Sequence, residues 1–79
     1  MSPAEFVDIR HLLGLTQPEL AKVLGYAHHS RVAAFESASS GRVVPPAIER
    51  LMRAYEAGYR PPGWPRHEVD AGVALKMLG

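Results

Sequence analysis

Apolar residues in this chain recur three and four positions apart. Glycine, proline or small polar residues break the rhythm at short intervals, so it predicts helices rather than strands. Phe6, Ile9, Leu12 and Leu13 form a first inward stripe, closed by Gly14. Leu20, Val23 and Leu24 form a second, with Ala21 small enough beside them to admit a close neighbour, and Gly25 follows. Val32 and Phe35 form a third, which leaves His29, Ser30, Ala33 and Ala34 facing outward. Ile48, Leu51, Met52 and Tyr55 form a fourth, ended by Gly58. In the terminal stretch Val69, Val73 and Met77 make one stripe and Ala71, Leu75 and Leu78 another, so this segment is apolar nearly all round. The expected fold is all-α: a compact bundle of about five short helices, the second over 17–24, the third over 29–38 and the fifth over 68–78.

The helix starts carry their own signals. Ser2-Pro3-Ala4-Glu5 and Thr16-Gln17-Pro18-Glu19 both have a hydroxyl three positions before a glutamate, the capping-box spacing, with proline in the first turn where it costs no helical hydrogen bond. Pro45-Pro46 opens the fourth helix. The run 37–44 is a polar, flexible loop by composition. Residues 59–65 hold three prolines and cannot be regular helix; they predict an extended connector with Tyr59 and Trp64 folded back on the body. Two parts follow: a helical unit over 1–58, and a connector plus terminal helix over 59–79. The two-sided apolarity of that terminal helix suits a homodimer interface built from Val69, Val73, Leu75, Met77 and Leu78.

Two short helices joined at Gly25, the second apolar behind and polar in front, have the layout of a DNA-reading helix-turn-helix. The residues Thr16-Gln17-x-x-Leu20-Ala21-x-x-Leu24-Gly25, followed by Val32-x-x-Phe35-Glu36, resemble the lambda-repressor-like regulators, the Cro/C1 or XRE class, over 9–57. Small stand-alone members of this class include phage Cro-like repressors, anti-CRISPR-associated repressors, restriction–modification controllers and toxin–antitoxin repressors. Gly58-Tyr59-Arg60-Pro61 before an apolar terminal helix is similar to the anti-CRISPR-associated group, a match too short to rank it above the others. The resemblance implies a dimeric transcriptional repressor that places its third helix in the major groove of a palindromic operator, its own promoter included. The rival use of such a fold is to clasp a protein partner, as antitoxins do.

The resemblance also assigns residues. It implies that the start of the third helix meets base edges, so His28, His29 and Ser30 are candidate readers; imidazole donates to guanine and a hydroxyl serves either sense. Arg31 is a candidate for phosphate or guanine, and Ala34 for a thymine methyl. Gln17 stands where the family carries a glutamine that bonds a backbone phosphate and braces the recognition helix. Arg42, Ser39, Ser40 and Ala33 complete the expected phosphate set. Glu36 is expected to pair with Arg10 as a scaffold. Against these stand plainer roles: exposed polar residues and alanines suit any helix surface, and Arg50 and Arg53 suit a solvated face. Tyr26-Ala27-His28 lengthens the turn by one residue relative to the commonest form, and 37–44 exceeds the usual glycine turn, which leaves the contact register open.

Composition narrows the functions further. Seventy-nine residues allow one small domain with a thin core. The net charge of +1 argues neither for nor against nucleic acid, but between Lys22 and Arg60 six basic residues face three acidic ones. The absence of cysteine removes disulfides and thiolate metal sites and fits a reducing cytoplasm. No leader-like or membrane-spanning run is expected. Glycine-rich phosphate loops, paired carboxylates and a cysteine nucleophile are missing, so an enzyme is not expected, nor a cofactor. The four histidines lack ligand spacing, with His28 and His29 adjacent and diverging, so no metal site is expected.

Overall fold

The computed structural model describes residues 1–65, whose regular elements are all helices, without a strand among them. Four α-helices follow in order: α1 (Pro3–Leu12), α2 (Gln17–Leu24), α3 (Ser30–Glu36) and α4 (Pro46–Glu56), with a 3₁₀ turn at Ala38–Ser40 between the last two. The fifth helix expected over 68–78, with Val69, Val73, Leu75, Met77 and Leu78, lies outside the described residues.

Local chemistry sets the helix starts. Ser2 Oγ accepts from the Glu5 N–H while the Glu5 carboxylate accepts from the Ser2 N–H, and Thr16 and Glu19 repeat the arrangement on α2. The exit from α2 is a Schellman motif. The Gly25 N–H donates to the Lys22 carbonyl and the Tyr26 N–H to that of Ala21, with Gly25 at φ +87°, a conformation that favours glycine. Two otherwise orphaned carbonyls are thereby satisfied, and the chain turns sharply enough for α3 to cross α2.

The core collects one stripe from each helix. Phe6, Ile9, Leu20, Ala21, Val32, Phe35, Met52 and Tyr55 are buried, joined by Leu15 and Val44 from the connections. Phe6 and Phe35 meet edge to face with centroids 5.7 Å apart, which ties α3 to α1. Between α1 and α4, the Met1 ammonium meets Glu49 at 2.7 Å and Glu5 meets Arg53 at 2.8 Å, so the two helices run the same way.

Several expectations need correcting. Leu12 was placed in the core stripe of the first helix, but it is 69% exposed. Phe6, Ile9 and Leu13 already span the inward face, and the residue beside Leu13 must point elsewhere. The third helix ends at Glu36, short of Ala38, because Ser37 is extended and the serine-rich run offers hydroxyls in place of helical partners. Ser40 Oγ reaches the Ala34 and Ser37 carbonyls at 2.7 and 2.9 Å and accepts from the Arg42 N–H. The 37–44 connection therefore carries a 3₁₀ turn and ends in a buried Val44. Ala33 and Ala34, placed outward in the sequence reading, are half-buried. Beyond α4, Trp64 folds back against Tyr55 (5.1 Å, T-shaped), while Tyr59 stacks on Tyr55 yet stays 54% exposed. No helix among the described residues is long and apolar enough to cross a membrane.

Candidate nucleic-acid interface

Burial of Val32 and Phe35 fixes the rotation of α3. With those two inward, the helix start turns outward: His28, His29, Ser30 and Arg31 are all exposed, and Ala33 and Ala34 flank them half-buried. Five of the residues expected to face DNA, His28, His29, Ser30, Arg31 and Ala34, thus share one surface.

The start of α3 has an uncommon cap. His29, the N-cap residue, is in the right-handed helical region and its side chain makes no capping bond. The His28 Nδ1 instead accepts from the Ser30 N–H at 3.2 Å. A neutral His28 ring in this role carries its proton on Nε2, which presents a donor outward. The His28 and His29 rings, expected to diverge as neighbours on a helix, instead stack at 4.4 Å, because both precede the first turn of α3. Lys22 of α2 and Tyr26 of the turn line the same shallow depression as these two rings.

The opposite end of α3 is held by an ion-pair network. Arg10 Nη2 donates to Glu36 Oε1 at 3.1 Å, Arg10 Nε donates to Oε2, and Arg10 Nη1 donates to the Leu15 carbonyl at 3.0 Å. The side chains are only 13% and 8% exposed, so the pair sits in a shielded setting that braces α3 against α1. Gln17, expected to face phosphate, donates its amide to Glu36 Oε1 at 2.9 Å. That bond uses one of its two N–H donors and leaves the other for a ligand.

Arg42, Ser39 and Ser40 are exposed on the connection after α3, Ser40 with its hydroxyl already committed as described, and Ser39 Oγ lies 3.0 Å from Ser37 Oγ. Arg53 of α4 bridges Glu5 and Glu56, and Arg60 donates to the Tyr55 and Tyr59 carbonyls beneath Trp64. The Glu5 carboxyl, bonded by Arg53 and by the Ser2 N–H, is lowered from 4.5 to about 2. Burial raises the Tyr55 phenol above its ordinary value.

Sorting the described charges by partner gives an asymmetric result. Glu5, Glu19, Glu36, Glu49 and Glu56 are all committed to caps or ion pairs, while Asp8, exposed on α1, is in neither. Lys22, Arg31, Arg42, Arg50 and Arg60 have no carboxylate partner among the described residues, Arg60 being bonded to carbonyls instead. Of these, Arg31 lies on α3, Lys22 lies beside the turn that precedes it and Arg42 on the connection that follows it.

The sequence reading missed two participants. Tyr26 was treated as part of a longer turn; its ring lies under the Arg31 guanidinium, 5.4 Å from carbon to centroid. Lys22 was counted only as charge, and the Schellman turn brings it beside the turn histidines. No periodic signal marks either contact, since both depend on how the turn closes.

No curated protein and no solved structure matches the chain. A family model described as a helix-turn-helix domain matches residues 4–61, which span α1 through α4 and the start of the connector. The chain belongs to this helix-turn-helix family of DNA-binding domains.

Proposed function

We propose that the protein is a dimeric transcriptional repressor that binds an inverted-repeat operator, its own promoter included, with α3 in the major groove. The observation that carries this reading is the outward face at the start of α3: exposed His28, His29, Ser30 and Arg31 on a helix whose back is locked into the core, with Lys22, in no ion pair among the described residues, beside the turn histidines. His29 and Ser30 read base edges, His28 adds a donor through Nε2, and Ala34 meets a thymine methyl. Gln17, Arg42, Ser39, Ser40 and the Ala33 region hold phosphates and set the register. A homodimer formed through Val69, Val73, Leu75, Met77 and Leu78 presents two such helices on one DNA face, about one turn or roughly 34 Å apart. Such a protein acts in the cytoplasm, where it competes with polymerase for the promoter.

The test is a gel-shift titration on DNA from upstream of the protein's own reading frame, with nonspecific competitor. Specific binding by the wild type that disappears in a His29→Ala, Ser30→Ala double variant supports the reading. Specific binding that survives in the folded double variant removes this face from recognition and favours a protein partner for it.

A further inference from the structure

Four aromatic and cationic side chains form a line from the core to the surface of the helix-turn-helix. Phe6 packs on Phe35, Phe35 packs on Tyr26 with centroids 6.1 Å apart, and the Tyr26 ring carries the Arg31 guanidinium at 5.4 Å. Phe6 and Phe35 are fully buried, Tyr26 is half-buried and Arg31 is exposed. The Tyr26 backbone is equally fixed, because its N–H closes the Schellman turn on the Ala21 carbonyl at 2.9 Å. The ring under Arg31 is therefore a rigid shelf anchored at both ends.

Arginine is costly to order, because immobilising its long side chain forfeits much of its rotamer freedom. A guanidinium within about 6 Å of an aromatic centroid recovers part of that through cation–π attraction, and its plane is constrained by stacking. Phosphate contact needs only charge within reach, whereas a guanine edge must be met by the planar fork at both O6 and N7. Among the described residues no carboxylate competes for Arg31, and the ring is its only recorded partner. Pre-orientation without neutralisation matches the demand of a base edge.

We propose that Tyr26 is a positioning residue for sequence reading: its ring holds the Arg31 guanidinium in the plane and at the reach needed to take a guanine edge in the major groove. The proposal rests on the DNA-binding reading above and adds to it the residue that sets the specificity of one position.

The probes are duplexes that the wild-type chain recovers from a random-sequence pool. Arg31→Ala should lose the preference for guanine at one fixed position of each half-site. Tyr26→Leu should lose it at that same position and weaken binding about two- to five-fold, the range of an exposed cation–π contact of about 0.5–1 kcal/mol. Tyr26→Phe, which keeps the ring, should retain both, and Tyr26→Leu should add nothing in the Arg31→Ala background. In the free wild-type chain, ring-current shielding should move the Arg31 δ-protons upfield of their random-coil position, a readout independent of how well any variant folds. Retained guanine preference in Tyr26→Leu, additive penalties, or unshifted δ-protons overturn the proposal. So does a uniform loss across all sequences in Arg31→Ala, which would make Arg31 a phosphate contact. Recovery of no preferred sequence by the wild type refutes the DNA reading itself and the proposal with it, an outcome separate from the others.

Discussion

Replacing Glu36 by glutamine should destabilise the protein by about 3 kcal/mol, because the pair it belongs to is too shielded for water to take its place. Arg10 and Glu36 are 13% and 8% exposed. Glu36 accepts from Arg10 Nε, from Arg10 Nη2 and from Gln17 Nε2, three donors converging on one carboxylate. Glutamine keeps one acceptor oxygen and turns an amide toward those donors, so the guanidinium loses its counter-ion and a donor faces a donor. Breaking a buried pair costs roughly 3–5 kcal/mol, and hydrogen bonds to charged groups about 1.5–3. The residual exposure places the effect at the lower end of that range. A domain of this size has a total stability of only about 4–12 kcal/mol, so the loss is a large share. Arg10→Met should cost a similar amount, since it strands the Glu36 carboxylate and removes the donor to the Leu15 carbonyl. The double variant Arg10→Met, Glu36→Gln leaves neither charge unpaired and should sit well above the sum of the singles. Urea denaturation of all four proteins gives the coupling energy, expected at about 2–4 kcal/mol. Single-variant losses that add to within about 0.5 kcal/mol would show that the two side chains act independently and that the network does not brace α3.

Other perturbations test separate parts of the molecule. The Glu5 carboxyl is held at about 2 against an ordinary 4.5, so the unfolded chain binds its proton first on acidification; the stabilisation is complete above about pH 4.5 and is lost as pH falls toward 2. The melting-temperature gap between wild type and Glu5→Gln should close over that window, and a pH-independent gap would deny the shift. Gly25→Ala meets no atom within 4 Å, so its cost comes only from holding alanine at φ +87°, about 1–2 kcal/mol, read as a drop in melting temperature of roughly 4–16 °C. Arg42→Ala should reduce the slope of log affinity against log salt by about one unit, and an unchanged slope removes Arg42 from the phosphate contacts. A chain ending at Pro65 retains every buried core residue of α1–α4 and should sediment as a monomer; a persisting dimer would exclude 66–79 as the dimer interface.

What the sequence disclosed was mostly what lies close together along it. The two capping boxes, the glycine exits and the inward stripes of α2 and α4 are patterns of three or four residues, decided by helix geometry alone. Leu12 failed where two adjacent apolar residues competed for one inward position, a choice made by the neighbouring helices. The end of α3 failed because hydroxyls in the 37–44 run offered partners that a periodicity argument does not count. At the interface, the residues that face outward follow from Val32 and Phe35 facing inward, so that much was legible. The bonds among them were not. The pair Arg10–Glu36 spans 26 residues and entered through the family resemblance rather than through spacing, and so did the bracing role of Gln17, whose partner Glu36 no spacing identifies. The Tyr26 shelf depends on three elements meeting at one turn.

A net charge of +1 says little about partners when taken over the whole chain. The fold changes its meaning by placing the two signs differently. Five described glutamates are drawn into caps and ion pairs, where each accepts from a backbone N–H, an ammonium or a guanidinium, and among the described carboxylates only Asp8 stays outside them. Arg10 and Arg53 are consumed in the same pairs, and Arg60 is turned onto helix-end carbonyls. The cations Lys22, Arg31, Arg42 and Arg50 are left outside any ion pair among the described residues, and at a Debye length of about 8 Å it is nearby charges that count for an approaching polyanion. Three of them border the same short helix. A chain that is nearly neutral in sum can in this way present a positive face without the general basicity that would bind every acidic surface, and on the proposed reading discrimination falls to the few side chains at the start of α3.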